Sequence, residues 1–293
     1  MPGVCRAGAA DHRGVTPLSL TPAQVARFDA DGYLVLRDRI PADLLARLRA
    51  AADRWTAMAP TGDHLFAGDV LWRVDYLHDK GEDASLELLG SPEVLGIAES
   101  LAGPDLVPTY ESLVVKAEGR GAPVPWHQDA VHGRRHRLFN VDVYLDAALP
   151  GQGALRVVPG SQRARADACG LRDVHGWDVP RAVEVPMAPG DVLVHDDMVV
   201  HGSPPTAGSP LRRTVYLEFR PAASVREDGP WDDAWLAARM RLLPAALAAH
   251  AAARPGAPRH DWRPSPSLLP GDDGVDLRVA HGVHTPGEWC SAG

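Results

Sequence analysis

The chain has 293 residues, 45% of them hydrophobic, a formal net charge of −8 and a sequence pI of about 5.9. That length can bury one substantial core, while the acidic balance and the lack of a basic block exclude nucleic acid as the expected partner. No apolar run approaches the roughly 18 residues of a membrane span, and three distant cysteines, Cys5, Cys169 and Cys290, predict neither a disulfide framework nor a zinc knuckle and suit a reducing cytoplasm.

Residues 1–20 open without a hydrophobic leader and read as a flexible tail ahead of one domain over 21–293. Thr21-Pro22 is a helix N-cap followed by proline in the first turn, and Val25 and Phe28 keep helical spacing until Gly32 stops the helix. YLVL at 33–36 is a short buried strand. Residues 41–58 form a second amphipathic helix with Leu44, Leu45, Leu48 and Ala52 on one face, and 91–101 form a third, ended by Gly103-Pro104. From about 107 to 220 short β-rich runs alternate with Gly and Pro turns, at 112–116, 124–129, 139–145, 155–158, 182–185, 191–195 and 214–219. Such a series predicts a sandwich or barrel. Trp235, Leu236, Met240, Leu243 and Leu247 return to helical spacing over 232–253, and 254–271 is a proline-rich wrap, so 230–293 is expected as a helical and irregular cover.

Trp126-His127-Gln128-Asp129 is the sharpest local feature. In a strand, residues two apart share a face, so His127 and Asp129 present an imidazole and a carboxylate together. Two histidines and one carboxylate make a facial triad that leaves coordination positions of iron(II) open. The pair alone is a weak motif, which a surface or core polar pair also satisfies. A third ligand could come from His132 or His136 just downstream, from His175, or from His195 or His201. His201 follows the apolar Met198-Val199-Val200 and precedes Gly-Ser-Pro, which places it at a strand end.

Four segments in order make the pattern specific: LTPAQVARFDADGYLVLRDRIPADLLARLRAAAD near the start, then VKAEGRGAPVPWHQD, VYLDAALPGQGALRVVPGSQR and APGDVLVHDDMVVHGSPPTAGSPLRRT. From about Thr21 to Phe219 the chain resembles the phytanoyl-CoA dioxygenase family of iron(II)/2-oxoglutarate oxygenases. The resemblance implies a double-stranded β-helix (jelly-roll) core with N-terminal helices and a C-terminal cover. It implies His127, Asp129 and His201 as iron(II) ligands, and 2-oxoglutarate and dioxygen as cosubstrates. The implied reaction is oxidation, by default hydroxylation, of a small-molecule metabolite with release of succinate and carbon dioxide.

The distal carboxylate of 2-oxoglutarate needs a cation, and arginine offers a planar, always-charged fork. Arg212 and Arg213 both follow His201. The family's arginine falls eleven positions after the distal histidine, which selects Arg212. Parity agrees mildly, because Arg212 shares a face with Thr214, Tyr216 and Glu218, whereas Arg213 shares one with Val215, Leu217 and Phe219. By the same resemblance Ser203 donates to that carboxylate. Lys116, eleven residues before His127, either contacts the cosubstrate or is a solvated lysine.

Asn140, Asp142 and Tyr144 alternate with Val141, Val143 and Leu145, and the family comparison turns the polar face into the site. Asp142 departs from the aromatic or apolar residue usual there. It would pair with a substrate amine or hydroxyl, or be a buried carboxylate bonded to its neighbours. Tyr144 and Trp126 are further candidates for substrate contact. Asp196-Asp197 reads as a solvated turn. Gln162 stands where relatives carry a non-ligand histidine, and the asparagine that often follows the HGS motif is replaced near Thr206. Gly, Pro and Ala richness associates with high-GC genomes and secondary metabolism, and no basic cluster is present to receive an acyl-CoA's phosphates. The chain is expected as a monomer or homodimer. A zinc hydrolase on the same three ligands would need no arginine after the third, and a non-catalytic barrel would be free to lose its ligands; both are the alternatives.

Overall fold

The computed structural model describes residues 18–133, 135–205, 210–228, 231–269 and 288–289. Most of the expected tail, Thr206, Cys5 and Cys290 lie outside them. Helix α1 (Pro22–Asp31) starts at a capping box in which the Thr21 hydroxyl accepts from the Gln24 backbone N–H and the Gln24 side chain accepts from Thr21 N. It ends at Gly32, whose φ of +79° lies in the left-handed region open to glycine. A Cβ at Gly32 would also sit 2.5 Å from Gln162 Oε1, and Gln162 donates to the Asp29 carbonyl at 3.1 Å. Gln162 is therefore a tie between the β-core and α1.

Strand β1 (Tyr33–Leu36) and helix α2 (Ala42–Ala57) lie where periodicity puts them. The hairpin β2 (His64–Ala67) and β3 (Val70–Asp75) and helix α3 (Asp83–Leu89) carry no clear sequence signal, since the hairpin is mostly half-buried and lacks clean alternation. After α4 (Pro92–Ala102) come β4 (Leu106–Lys116), β5 (Val124–Gln128), β6 (Phe139–Tyr144), β7 (Leu155–Val157), helix α5 (Ala168–His175), β8 (Val183–Val185), β9 (Val192–Asp196), β10 (His201–Ser203) and β11 (Arg212–Pro221). Helices α6 (Ala222–Asp228), α7 (Asp233–Met240) and α8 (Leu242–Ala253) follow, and β12 (Glu288–Trp289) closes the described chain. The single helix expected over 232–253 breaks at Arg241. Pro244 has no N–H to give the Met240 carbonyl, so the helix ends and restarts with proline in its first turn.

Two antiparallel sheets form the core. The larger runs β1-β9-β6-β11-β4-β3-β2 and the smaller β12-β5-β10-β7-β8. They are open rather than closed on each other, the double-stranded β-helix expected from the sequence, with helices flanking it. Parity divides the larger sheet. Leu113, Val115, Val141, Val143, Val192, Val194, Val215 and Leu217 join one buried core with Leu44, Leu48, Trp55, Leu95 and Ile97 of the helices. The register pairs Lys116 with Arg212, Ser112 with Tyr216, Tyr216 with Asp142, and Asn140 with His195, so these residues share the other face. That polar face looks onto the smaller sheet.

Two expectations are corrected. Cys169 on α5 is disulfide-bonded, which the wide spacing of the three cysteines did not predict. Asp196 and Asp197 are buried rather than solvated, because the turn after β9 folds under the site. Among the described residues, no helix is long and apolar enough to cross a membrane.

Candidate metal centre

His127 sits on β5, and Asp129 lies one residue past its end, in a bend. His201 opens β10 instead of closing the apolar run before it; residues 198–200 form the approach and β10 pairs His201 with His127. The three-residue strand is too short to show a period, which is why the sequence does not reveal it. Gly202 sits in close packing: a Cβ there would lie 3.0 Å from the Val124 carbonyl and 3.2 Å from the Trp126 backbone.

One ligand atom from each of His127, Asp129 and His201 lies within 4.8 Å of the others. His127 Nε2 is 3.1 Å from Asp129 Oδ1, and the two imidazole centroids are 4.1 Å apart. Both histidines are oriented from behind. His127 Nδ1 donates to the Pro125 carbonyl at 2.8 Å, and His201 Nδ1 to the Val199 carbonyl at 3.0 Å. A carbonyl only accepts, so each Nδ1 carries the hydrogen and each Nε2 keeps its lone pair for a cation. Burial and the neighbouring His127 lower the His201 pKa to about 3, which keeps that ring neutral. Burial pushes the Asp129 carboxyl up, but His201, His127 and His195 hold it well below the usual carboxylate range. Nearby stand Asp142, Asp197 and Glu218 with Arg220. Two imidazoles with Nδ1 turned to backbone carbonyls, a carboxylate and an acidic surround fit a divalent cation.

The other polar atoms form two groups. The first is cationic. Arg212 is 6% exposed, and among the described residues its guanidinium bonds only the Gly153 carbonyl. Lys116, directly opposite on β4, is 5% exposed, so the solvated alternative is excluded. Its Nζ donates to Ser203 Oγ and, at 3.0 Å, to the Pro204 carbonyl. Ser203 Oγ donates to Gly153 O at 2.8 Å. Burial, then the Arg212 charge, lowers the Lys116 pKa to about 7. Neither cation has a carboxylate partner among the described residues. Arg213 faces the opposite way, with Nε 2.8 Å from Asp146 Oδ2 and Nη1 2.5 Å from Asp53 Oδ1. Tyr144 is buried beside Arg212, and burial raises its hydroxyl pKa well above the usual phenol range.

The second group lies behind Asp129. Asp142 is fully buried, and its Oδ2 is 2.7 Å from His195 Nδ1. The expectation that Asp142 meets a substrate group gives way to the buried-carboxylate alternative, because His195 stands between it and the triad. Burial alone would lower the His195 pKa, but Asp142 and Asp129 on either side hold it well above the usual histidine range. In the sequence His195 is one of several possible third ligands; its place beside Asp142 comes from the register that sets it opposite Asn140 on β6. Trp126 is also corrected as a substrate contact. Adjacent strand residues point to opposite faces, so Trp126 turns away from His127, donates to the Gly176 carbonyl and packs at 5.5 Å from Trp177. Finally, β12 pairs Trp289 with His127 and Glu288 with Gln128, bringing the C-terminal backbone alongside the metal-bearing strand.

The family model for phytanoyl-CoA dioxygenase (PhyH) matches residues 28–214. An ectoine dioxygenase of Sphingopyxis alaskensis is 26% identical over 264 residues, 78% of this chain and 85% of that protein. The crystal structure of AviO1 from Streptomyces viridochromogenes Tue57 is similar with a TM-score of 0.59 and 34% identity, over 69% of this chain and 95% of that one. EctD from S. alaskensis, solved with 2-oxoglutarate and 5-hydroxyectoine and also with bound Fe, shares the fold at a TM-score of 0.60 and 24% identity for the former complex, over 72% of this chain and 80% of that one.

Proposed function

The chain belongs to the phytanoyl-CoA dioxygenase family of 2-oxoglutarate-dependent non-haem iron dioxygenases, and on that premise we propose that His127, Asp129 and His201 hold its iron(II) and that it oxidises a polar small-molecule metabolite, by default hydroxylating it. The chemistry supplied there by iron(II), 2-oxoglutarate and dioxygen is oxidation of a C–H bond, with release of succinate and carbon dioxide. The protein's own part is to bind, orient and enclose.

The observation that carries the reading is the buried pair Arg212 and Lys116, with no carboxylate beside them among the described residues. An unpaired buried charge is costly, enough here to bring the Lys116 pKa down to about 7 beside Arg212, so the pair calls for an anionic ligand. A dicarboxylate whose keto-acid end meets the triad would put its far carboxylate on Arg212, with Ser203 and Lys116 as further donors and Tyr144 as the wall. A zinc hydrolase has no use for that arrangement. The substrate class is supported by the remaining polar face: Ser112 and Tyr216 lie level with one another across β4 and β11, and Asp75 of β3 continues the row. Asp75 accepts from the Tyr110 hydroxyl and pairs with Arg73 at 2.9 Å. Hydroxyl, amine or carboxylate groups of a substrate would find complementary partners there. An ectoine dioxygenase among the relatives fits an enzyme that oxidises a small molecule, and we assign this one to secondary metabolism.

The test is anaerobic addition of iron(II) and then 2-oxoglutarate to the purified protein. A visible charge-transfer band on the second addition is expected. Absence of any band at saturating iron(II) would sink the reading. Succinate release stimulated by a candidate compound then identifies the substrate.

A further inference from the structure

Asp129 is the weakest-anchored member of the triad by its backbone. His127 and His201 are paired across β5 and β10, whereas Asp129 sits in a bend beyond the ladder. Its side chain could present one oxygen or both to a cation. The surroundings decide between these. Oδ1 faces His127 Nε2 at 3.1 Å. Oδ2 is taken from the other side: His195 Nε2 lies 3.0 Å away and Asn140 Nδ2 3.3 Å away.

Those two holders are themselves fixed. His195 on β9 is completely buried, with its second nitrogen 2.7 Å from Asp142 Oδ2. Its ring lies edge-on to Tyr216, centroids 6.3 Å apart at 79°, and 4.8 Å from the His201 ring. Asn140, directly opposite on β6, spends its amide on Asp129 and, at 3.1 Å, on Asp197 Oδ1. Neither residue can swing away without leaving a buried polar partner unsatisfied.

Resting on the reading of this site as an iron(II) centre, we propose that His195, braced by Asp142, is a positioning residue that holds Asp129 Oδ2 and so keeps the carboxylate a one-oxygen ligand. The consequence is chemical. A carboxylate that bound through both oxygens would fill a coordination position that the cosubstrate or dioxygen needs. Asp142 therefore serves the metal through His195, and its unusual presence on β6 has a purpose that requires no substrate contact.

The experiment compares wild type with His195→Phe, His195→Gln, and the double variant His195→Phe/Asp142→Val, which removes the carboxylate that the first variant would strand in the core. Iron(II) affinity is measured anaerobically by competition with a chromophoric chelator, and the charge-transfer band is recorded with 2-oxoglutarate. Loss of such an outer hydrogen bond costs about 10–100-fold in metal affinity. That loss, with a displaced band, is expected in the double variant and in His195→Phe where it folds. His195→Gln retains an N–H donor and is expected to recover most of the affinity. If wild type binds iron(II) and the double variant binds it equally well with an unshifted band, the positioning role is overturned while the metal centre stands. If wild type itself binds no iron(II), both fall together.

Discussion

Replacing Arg212 or Arg213 by alanine separates anchoring from architecture, although the two residues are neighbours on one strand. Arg212 is a buried cation facing Lys116 and Ser203 across the polar face, with one backbone carbonyl as its hydrogen-bonded partner among the described residues. A hydrogen bond to a charged group contributes about 1.5–3 kcal/mol, and about 1.4 kcal/mol is a factor of ten. Arg212→Ala is thus expected to weaken 2-oxoglutarate about 10–100-fold, with Lys116 retaining residual binding. Arg213→Ala instead removes contacts to Asp146 and Asp53 and leaves Asp146 with Arg49 at 3.7 Å. Its expected effect is a loss of about 1–3 kcal/mol of stability, read as a fall in Tm of about 2–4 °C for each kcal/mol. The assays are 2-oxoglutarate titration of the anaerobic iron(II) protein by the charge-transfer band, and a thermal melt. Loss of the band in Arg213→Ala with an intact band in Arg212→Ala would refute the assignment.

Lys116 gives a pH signature. With its pKa near 7 in the free protein, binding a dicarboxylate above pH 7 draws in a proton, so 2-oxoglutarate affinity is expected to be flat below pH 7 and to weaken above it. Lys116→Met should abolish that slope; calorimetry in buffers of different ionisation enthalpy reads the proton directly. Glu111 is buried against Arg239 and His78; burial pushes its carboxyl up, but those partners bring the pKa down to about 2. Because the folded pKa is depressed, the stabilisation is full above the ordinary carboxylate range and is lost as pH falls through about 2. Arg239→Met is expected to cost about 3–5 kcal/mol by stranding Glu111, and an acid titration of stability should then lose its dependence on this pair. Gly202→Ala should push β10 from β5 and weaken iron(II) binding while the secondary structure persists by circular dichroism; unchanged iron(II) affinity would contradict the tight approach at Val124 and Trp126.

Much of the molecule is written locally. The α1 cap, the stop at Gly32, the 33–36 strand and most strands of the core follow from periodicity and turn residues, because each depends on neighbours a few positions away. The half-buried β2–β3 hairpin and the three-residue β10 were not legible, since neither is long or regular enough to show alternation. Trp126 shows the limit of proximity in sequence: adjacency to His127 puts it on the wrong face. The sequence by itself determined the chemistry available, namely an HxD pair, a distant histidine and an arginine on the strand after it. Only the tertiary structure decided how those groups are held. It buried Lys116 beside Arg212, turned Arg213 outward to Asp146, and placed His195 between Asp142 and Asp129. The reason is that strand parity assigns a face, whereas the partner met on that face comes from a strand far away in the chain, through pairing register and the packing of one sheet on another.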